Sequence, residues 1–278
     1  MRTIRNASIP LAGAVGAVGL TAALTAKNRF IGRLDALDRQ LADAQSITEA
    51  RTDLQPEVTE LATKLGANDA NPARFVDVRQ TGTMWFKPGG MPRRFTARQR
   101  IGTSSTGFVW RAIIGPMGAL TVVDSFVAGR GLLEARLFGI VRVAREDGTA
   151  ALNQGEALRY LAELPWNPDA ILFDHQLEWT VDGPRAIRVA TGSGASRAEI
   201  AFGLNDGGLI ETGAAASRAF GPDKHYPWHG RFWDYQDIDG HRIPMQGEVA
   251  WVIDGNDFIY WRGKLESWEA GNDHRAAK

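Results

Sequence analysis

Asp124 is the residue whose type and setting most demand a chemical account. It lies in Leu120-Thr-Val-Val-Asp-Ser-Phe-Val127, where strand alternation puts it on one face with Val122 and Phe126. A carboxylate on an apolar face is costly unless a cation meets it or its pKa rises, and a raised pKa suits proton transfer. Arg111, Arg136 and Arg218 are the cations the pattern offers as partners. Arg159 and Glu163 form a second pair, one helical turn apart and followed by Pro165-Trp166. That spacing fits a solvated i,i+4 pair, or a helix face turned to a cavity mouth with Glu163 as acid or base.

Of five histidines, His225 and His229 are four apart in His-Tyr-Pro-Trp-His. Pro227 between them breaks the helix that a zinc-binding pair at this spacing would need, so no metal site is expected. His229 stays as a third acid or base candidate beside Asp124 and Glu163. His175, His241 and His274 show no neighbours that suggest a role. The chain has no cysteine, which removes thiolate nucleophiles and cysteine-ligated metals. No serine sits in a nucleophile elbow, and no glycine-rich turn has the strand-loop-helix context of a phosphate loop. No cofactor is expected.

These residues must be positioned by strands. From Arg74 onward, short β-branched and aromatic runs alternate with turn signals, Asp182-Gly183, Asp206-Gly207-Gly208, Asp239-Gly240 and Asp254-Gly255 among them. Strands are expected at 74–86, 94–102, 107–114, 119–128, 131–145, 175–182, 185–191, 197–204, 208–214, 228–236, 241–253 and 257–268. One helix, Gln154 to Leu164, interrupts them and stops at Pro165. About a dozen strands cannot stay open and flat, so the sheet should curl into a barrel, half-barrel or sandwich, and one packed helix fits a half-barrel. Nine tryptophans would then be mostly core, or the aromatic wall of an apolar cavity.

Upstream, twenty-one uncharged residues from Asn6 to Ala26 lie between Arg2/Arg5 and Lys27/Arg29. That is close to the ~20 residues needed to span a bilayer, and fits a retained anchor or a signal peptide cleaved after Ala23 or Ala26. Phe30, Leu34, Leu37, Leu41 and Ala44 follow as a heptad stripe, either a homodimer seam through 30–48 or a face packed on the chain's own domain. Leu54, Val58, Leu61 and Leu65, with Pro56 early and Gly66 as a stop, mark a second short helix. The 278 residues thus divide into an anchor or signal over 1–26, a helical neck over 27–66, a β-rich domain over 67–270 and a disordered tail over 271–278. Thirty-two basic residues against thirty-two acidic ones give no field that would draw the chain to nucleic acid.

In order along the chain, Gly82-Thr-Met-Trp85, Phe95-Thr-Ala-Arg-Gln99, Phe108-Val-Trp110, Asp124, Gly129-Arg-Gly131, Arg159-Tyr-Leu-Ala-Glu163, Trp179, Arg218, Trp228 and Gly240-His-Arg-Ile-Pro244 resemble a large bacterial family known only as a domain of unknown function. They span nearly all of 54–268. The closing stretch Tyr235-Gln-Asp-Ile-Asp-Gly-His-Arg-Ile-Pro244 through Trp251 is similar to the end of the lipoprotein-carrier half-barrels of the LolA and LolB type. The resemblance implies a mainly β fold, a large curved antiparallel half-barrel of eleven or so strands with a helical plug and an apolar cavity. It carries over no catalytic residues.

The leading reading is a membrane-anchored protein, or an exported one if the apolar run is cleaved, that binds a lipid or other apolar small molecule. Trp110, Asp124, Arg159, Glu163, Trp179, Arg218, Trp228, Trp233, Tyr235 and Trp251 are the expected ligand-binding residues. A second reading is a cofactor-independent isomerase, cyclase or lyase using Asp124, Glu163 or His229. It requires at least two of those groups to point into one pocket. A third is an assembly module whose sheet edge receives a partner strand.

Overall fold

The computed structural model describes residues 10–46, 49–70, 72–221 and 224–272, with side chains from Thr21 onward. Thirteen strands form one antiparallel sheet. In chain order they are β1 Phe75–Met84, β2 Arg93–Gly102, β3 Phe108–Ile114, β4 Leu120–Val127, β5 Arg130–Leu137, β6 Val141–Asp147, β7 Glu178–Gly183, β8 Ala186–Thr191, β9 Ala198–Leu204, β10 Ile210–Ala219, β11 His225–Ile238, β12 His241–Ile253 and β13 Asn256–Gly271. Their spatial order, β6-β5-β4-β3-β2-β1-β13-β12-β11-β10-β9-β8-β7, is two meanders joined where the first strand pairs with the last. The sheet has two free edges, β6 and β7, so it does not close into a barrel.

Among the described residues, four α-helices accompany it: α1 Pro10–Ala44, α2 Pro56–Leu65, α3 Ala150–Ala162 and α4 Asp169–Phe173. Helix α3 touches β4 and β5 near one edge and β8, β9 and β10 near the other. Strands so far apart in the sheet can reach one helix only if the sheet wraps around it, which is the half-barrel geometry with α3 as its plug. The main core fills the concave side between α2, α3, α4 and the strands, with Tyr160, Phe108, Leu161, Ile171 and Phe202 fully buried. The apolar face of α2 (Val58, Leu61, Ala62, Leu65) is part of that core rather than of a separate neck.

Helix α1 lies on the opposite, convex side. Phe30 and Leu34 pack on Val123, and Leu41 packs on Val109 and Val127. The heptad stripe is therefore buried against the chain's own sheet, the second of the two readings its spacing left open. Among the described residues no helix is long and apolar enough to cross a membrane. The run Asn6–Ala26, expected as anchor or signal, begins outside the described residues. The expected tail lies outside them from residue 273 on, and β13 continues to Gly271.

The span 131–145, expected as one strand, is two. Phe138 and Gly139 both adopt positive φ (51° and 72°) and turn the chain between β5 and β6. Elsewhere the expected hairpins are present, with Asp239-Gly240 and Asp254-Gly255 in left-handed backbone at the turns of the β11–β12–β13 meander.

Candidate functional site: an aromatic cavity with a charged floor

The floor is made by one helix face and one strand. Helix α3 begins at Thr149, whose hydroxyl accepts the Leu152 N–H at 3.2 Å. Glu156, Arg159 and Glu163 follow at i, i+3 and i+7 and share a face. On β4, Val122, Asp124 and Phe126 point to the concave side while Val123 and Val127 meet α1. Asp124 therefore faces α3. Arg159 donates to Asp124 Oδ2 at 2.5 Å and, through Nε, to Glu163 Oε1 at 2.9 Å. The guanidinium also lies over the Phe108 and Trp110 rings, 4.7 and 5.0 Å from their centroids. A polar chain extends from it: Trp110 Nε1 donates to Gln80 Oε1 at 2.9 Å, Gln80 donates to Gln99, and Gln99 donates to Glu163 Oε2.

Asp124 was expected to meet Arg111, Arg136 or Arg218. Its partner is Arg159 instead, because the partner comes from the helix across the concave face and not from the sheet. Arg111 and Arg136 point to the convex side, where they meet Asp38 and Glu134. The Arg159–Glu163 pair is not an open surface pair: Glu163 is buried and Arg159 half-buried.

Burial raises the pKa of Glu163 even against the neighbouring Arg159 charge. Burial, reinforced by the Asp124 charge, pushes Glu156 well up. For Arg159, burial opposes the charge, but the carboxylates of Glu163 and Asp124 outweigh it and hold the guanidinium protonated. Asp124 Oδ1 and Glu156 Oε2 are buried without a hydrogen-bond partner, and the two carboxyl groups are within hydrogen-bonding reach of each other. A proton held on Glu156 would satisfy both oxygens at once. Sequence reading missed Glu156; the signal available was its position three residues before Arg159.

Above this floor lies a cavity of about 150 Å³. Its walls are Met84, Trp110, Val122, Leu133, Ala162, Trp166, Trp228, Phe232, Val249, Tyr260 and Trp261, and Asp124, Arg159, Glu163 and Arg218 reach into it. Trp166 follows α3 directly because Pro165 ends the helix there, and its Nε1 donates to Pro244 O at 2.8 Å. Trp261 stacks against Phe95 with centroids 5.9 Å apart. At the opposite wall, Arg218 lies over the Trp228 and Trp251 rings, 5.4 and 5.7 Å from their centroids. It donates to the Tyr260 hydroxyl at 2.8 Å and to Gly155 O at 3.4 Å.

Six of the sequence-predicted residues thus line one cavity: Trp110, Asp124, Arg159, Glu163, Arg218 and Trp228. Trp251 lies under the Arg218 guanidinium and meets the Tyr260 ring at a tilt, with centroids 3.9 Å apart. Trp179, on β7, packs against the core away from the cavity. Neither Trp233 nor Tyr235 lines the cavity, and the Tyr235 hydroxyl donates to Ile210 O at 2.6 Å. His229 follows Trp228 on β11 and so points to the other face, where Nε2 meets Asp257 at 3.0 Å. His241, read as isolated, is buried against Asp169 and the Trp268 ring. Trp166, Phe232, Tyr260 and Trp261 are cavity residues that no spacing signalled. Among the described residues, no group of three His, Asp or Glu side chains is arranged to hold a metal ion.

Residues 46–263 match the model of a family described as "Family of unknown function (DUF6544)". The chain belongs to this family. The matched stretch of DUF6544 contains the whole cavity, and helix α1 precedes it. No curated protein matches the sequence. Among solved structures, the chain is similar to a LolA superfamily protein from Nitrosomonas europaea, at 8% identity and a TM-score of 0.44, over 78% of this chain and 94% of the other. It is also similar to a DUF1329 family protein from Desulfovibrio piger, at 10% identity and a TM-score of 0.46, over 77% and 91% of the two chains.

Proposed function

We propose that this protein binds an apolar or lipid-like small molecule in the cavity between α3 and the concave face of the sheet. The observation that carries the reading is the wall itself: four tryptophans, Phe232, Met84, Leu133 and Val249 surround unfilled space beside a few convergent polar groups. An apolar pocket with a small polar set is the usual form of a small-molecule site. Residence at a membrane is part of the proposal and is supported by the uncharged run Asn6–Ala26, as a retained anchor or as a signal for export.

The test is native mass spectrometry of the full chain after incubation with a bacterial lipid extract, beside an Ala162→Phe variant that places a ring in the cavity. A retained mass of lipid size in the parent chain, reduced at least about fivefold in the variant, is the expected result. A parent chain that emerges empty under these conditions overturns the reading.

One observation favours a second reading, acid–base chemistry on the bound molecule: Asp124 and Glu163 converge on one cavity, with Glu156 behind them. Neighbouring carboxyl groups whose environments differ are a recurrent way to provide an acid and a base at one site. Deuterium entering a recovered ligand from heavy water, and failing to enter with Asp124→Asn, would support this reading. A ligand recovered without exchange would remove it. His229 plays no part, since its side chain is on the far face.

A further inference from the structure

Resting on that binding reading, we propose that the ligand carries a single negative charge on its head, a carboxylate, received by the Arg218 guanidinium and the Tyr260 hydroxyl. The two cavity cations are differently placed. Arg159 is bridged between Asp124 and Glu163. Arg218 donates only to neutral oxygens, those of Tyr260 and Gly155, and among the described residues no carboxylate lies within ion-pair distance of it.

Tyr260 adds a donor aimed by its neighbours. Its oxygen accepts from Arg218 at 2.8 Å and from Trp228 Nε1 at 3.0 Å, so both acceptor directions are taken. The phenolic hydrogen is left to donate, and among the described residues it has no acceptor. Two donors pulling on the same oxygen, one of them charged, polarise the O–H and strengthen the bond it would make to an anion. The guanidinium lies over both the Trp228 and the Trp251 ring, which favours its place at this wall. The aromatic wall of Trp166, Phe232 and Trp261 then faces the tail of the ligand.

The charge of the head follows from the opposite wall. Asp124 and Glu163 share only Arg159, so a dianionic head such as a phosphate monoester would sit opposite carboxylates with one cation to hold it. A positively charged head would meet Arg218 directly. A monoanion matches the one cavity guanidinium that forms no ion pair among the described residues.

The test is tryptophan quenching in the full chain by three brominated amphiphiles with the same tail: the carboxylate, the alcohol and the phosphate monoester. The carboxylate should bind at least about tenfold tighter than the alcohol, the range expected for a charge-assisted hydrogen-bonded pair. Arg218→Met, which keeps an apolar stem against the tryptophans, should abolish that preference and leave alcohol affinity within about threefold. Tyr260→Phe should reduce the preference. Equal affinity for acid and alcohol in the parent chain overturns the inference and leaves the cavity reading standing. So does a preference that survives in Arg218→Met, whereas tighter binding of the phosphate replaces the monoanionic head by a dianionic one. Quenching by none of the three overturns the cavity reading itself.

Discussion

Two buried carboxylate clusters sit at the two ends of the same helical stretch, and they are built to opposite rules. Beyond α3, Asp169 accepts the Asn68 and Ala73 backbone N–H groups at 2.9 and 3.1 Å and lies 3.1 Å from His241 Nε2. Asp174 accepts from Thr106, Tyr160 and the Gln176 N–H at 2.7 to 2.9 Å. Every carboxylate oxygen of this latch has a partner, and most donors are backbone or neutral groups. At the cavity floor, Asp124 Oδ1 and Glu156 Oε2 have none, and three carboxyl groups crowd one guanidinium. The latch ties the loop before β1, the β2–β3 turn and the start of β12 to the plug. The floor borders unfilled space through Asp124, Arg159 and Glu163. A cluster whose carboxylate oxygens are all bonded holds the fold together, whereas the floor beside the cavity depends on one proton held between Asp124 and Glu156.

The sharpest way to break this contrast is Asp169→Ala. It strands the buried Ala73 N–H and His241 and removes the acceptor of the part-buried Asn68 N–H, and each unmatched buried group costs roughly 1–3 kcal/mol. We expect a loss of about 3 kcal/mol or more in urea unfolding, the largest effect among these substitutions. A loss under about 1 kcal/mol would mean that the latch is not structural.

The pH dependence of stability sharpens it further. Glu156 and Glu163 have raised pKa values in the folded chain, so the native state keeps protons that the unfolded chain gives up. Their contribution to stability should therefore fall as pH rises from the ordinary carboxyl value of 4.5 through the higher folded values. His241, raised chiefly by its hydrogen bond to Asp169, acts with the same sign in a later window. Its contribution is complete below 6.5 and is lost as pH rises through the folded value. Glu156→Gln should flatten the acid-side slope and leave the histidine window intact, measured as unfolding midpoints across a pH series. An unchanged acid-side slope would show that the floor does not hold the proton assigned to it.

How far each cluster was legible follows from the distances in sequence that set it. The hairpins at Asp239-Gly240 and Asp254-Gly255 were readable because positive φ at a turn selects residues of that type. The β5–β6 turn was not, since Phe138 takes the left-handed position and no residue rule marks an aromatic there. Asp124, Arg159 and Glu163 were readable as charges out of place. Their mutual contact was not, because it joins β4 to a helix 35 residues away across a curved sheet. The heptad stripe of α1 identified a buried face and could not say what buries it; a flat patch of Val109, Val123 and Val127 serves as well as a second helix. His241 looked isolated because its partner, Asp169, is 72 residues away.

The smallest effect is expected at the floor itself, and it decides the contrast. Asp124→Asn removes one carboxylate from Arg159 but leaves the bond to Glu163. The new amide oxygen can still accept the proton held on Glu156, and the Asp124 charge that raises Glu156 disappears. Loss of the ion pair and relief of crowding oppose each other, so we expect urea unfolding to change by no more than about 1 kcal/mol in either direction. Combined with Glu156→Gln, the two substitutions should be non-additive, because they act on one shared proton. A loss near 3 kcal/mol from Asp124→Asn alone would instead mark Asp124–Arg159 as a buried ion pair that holds α3 against β4. The floor would then belong with the latch, a structural contact beside the cavity and not a part of the ligand site.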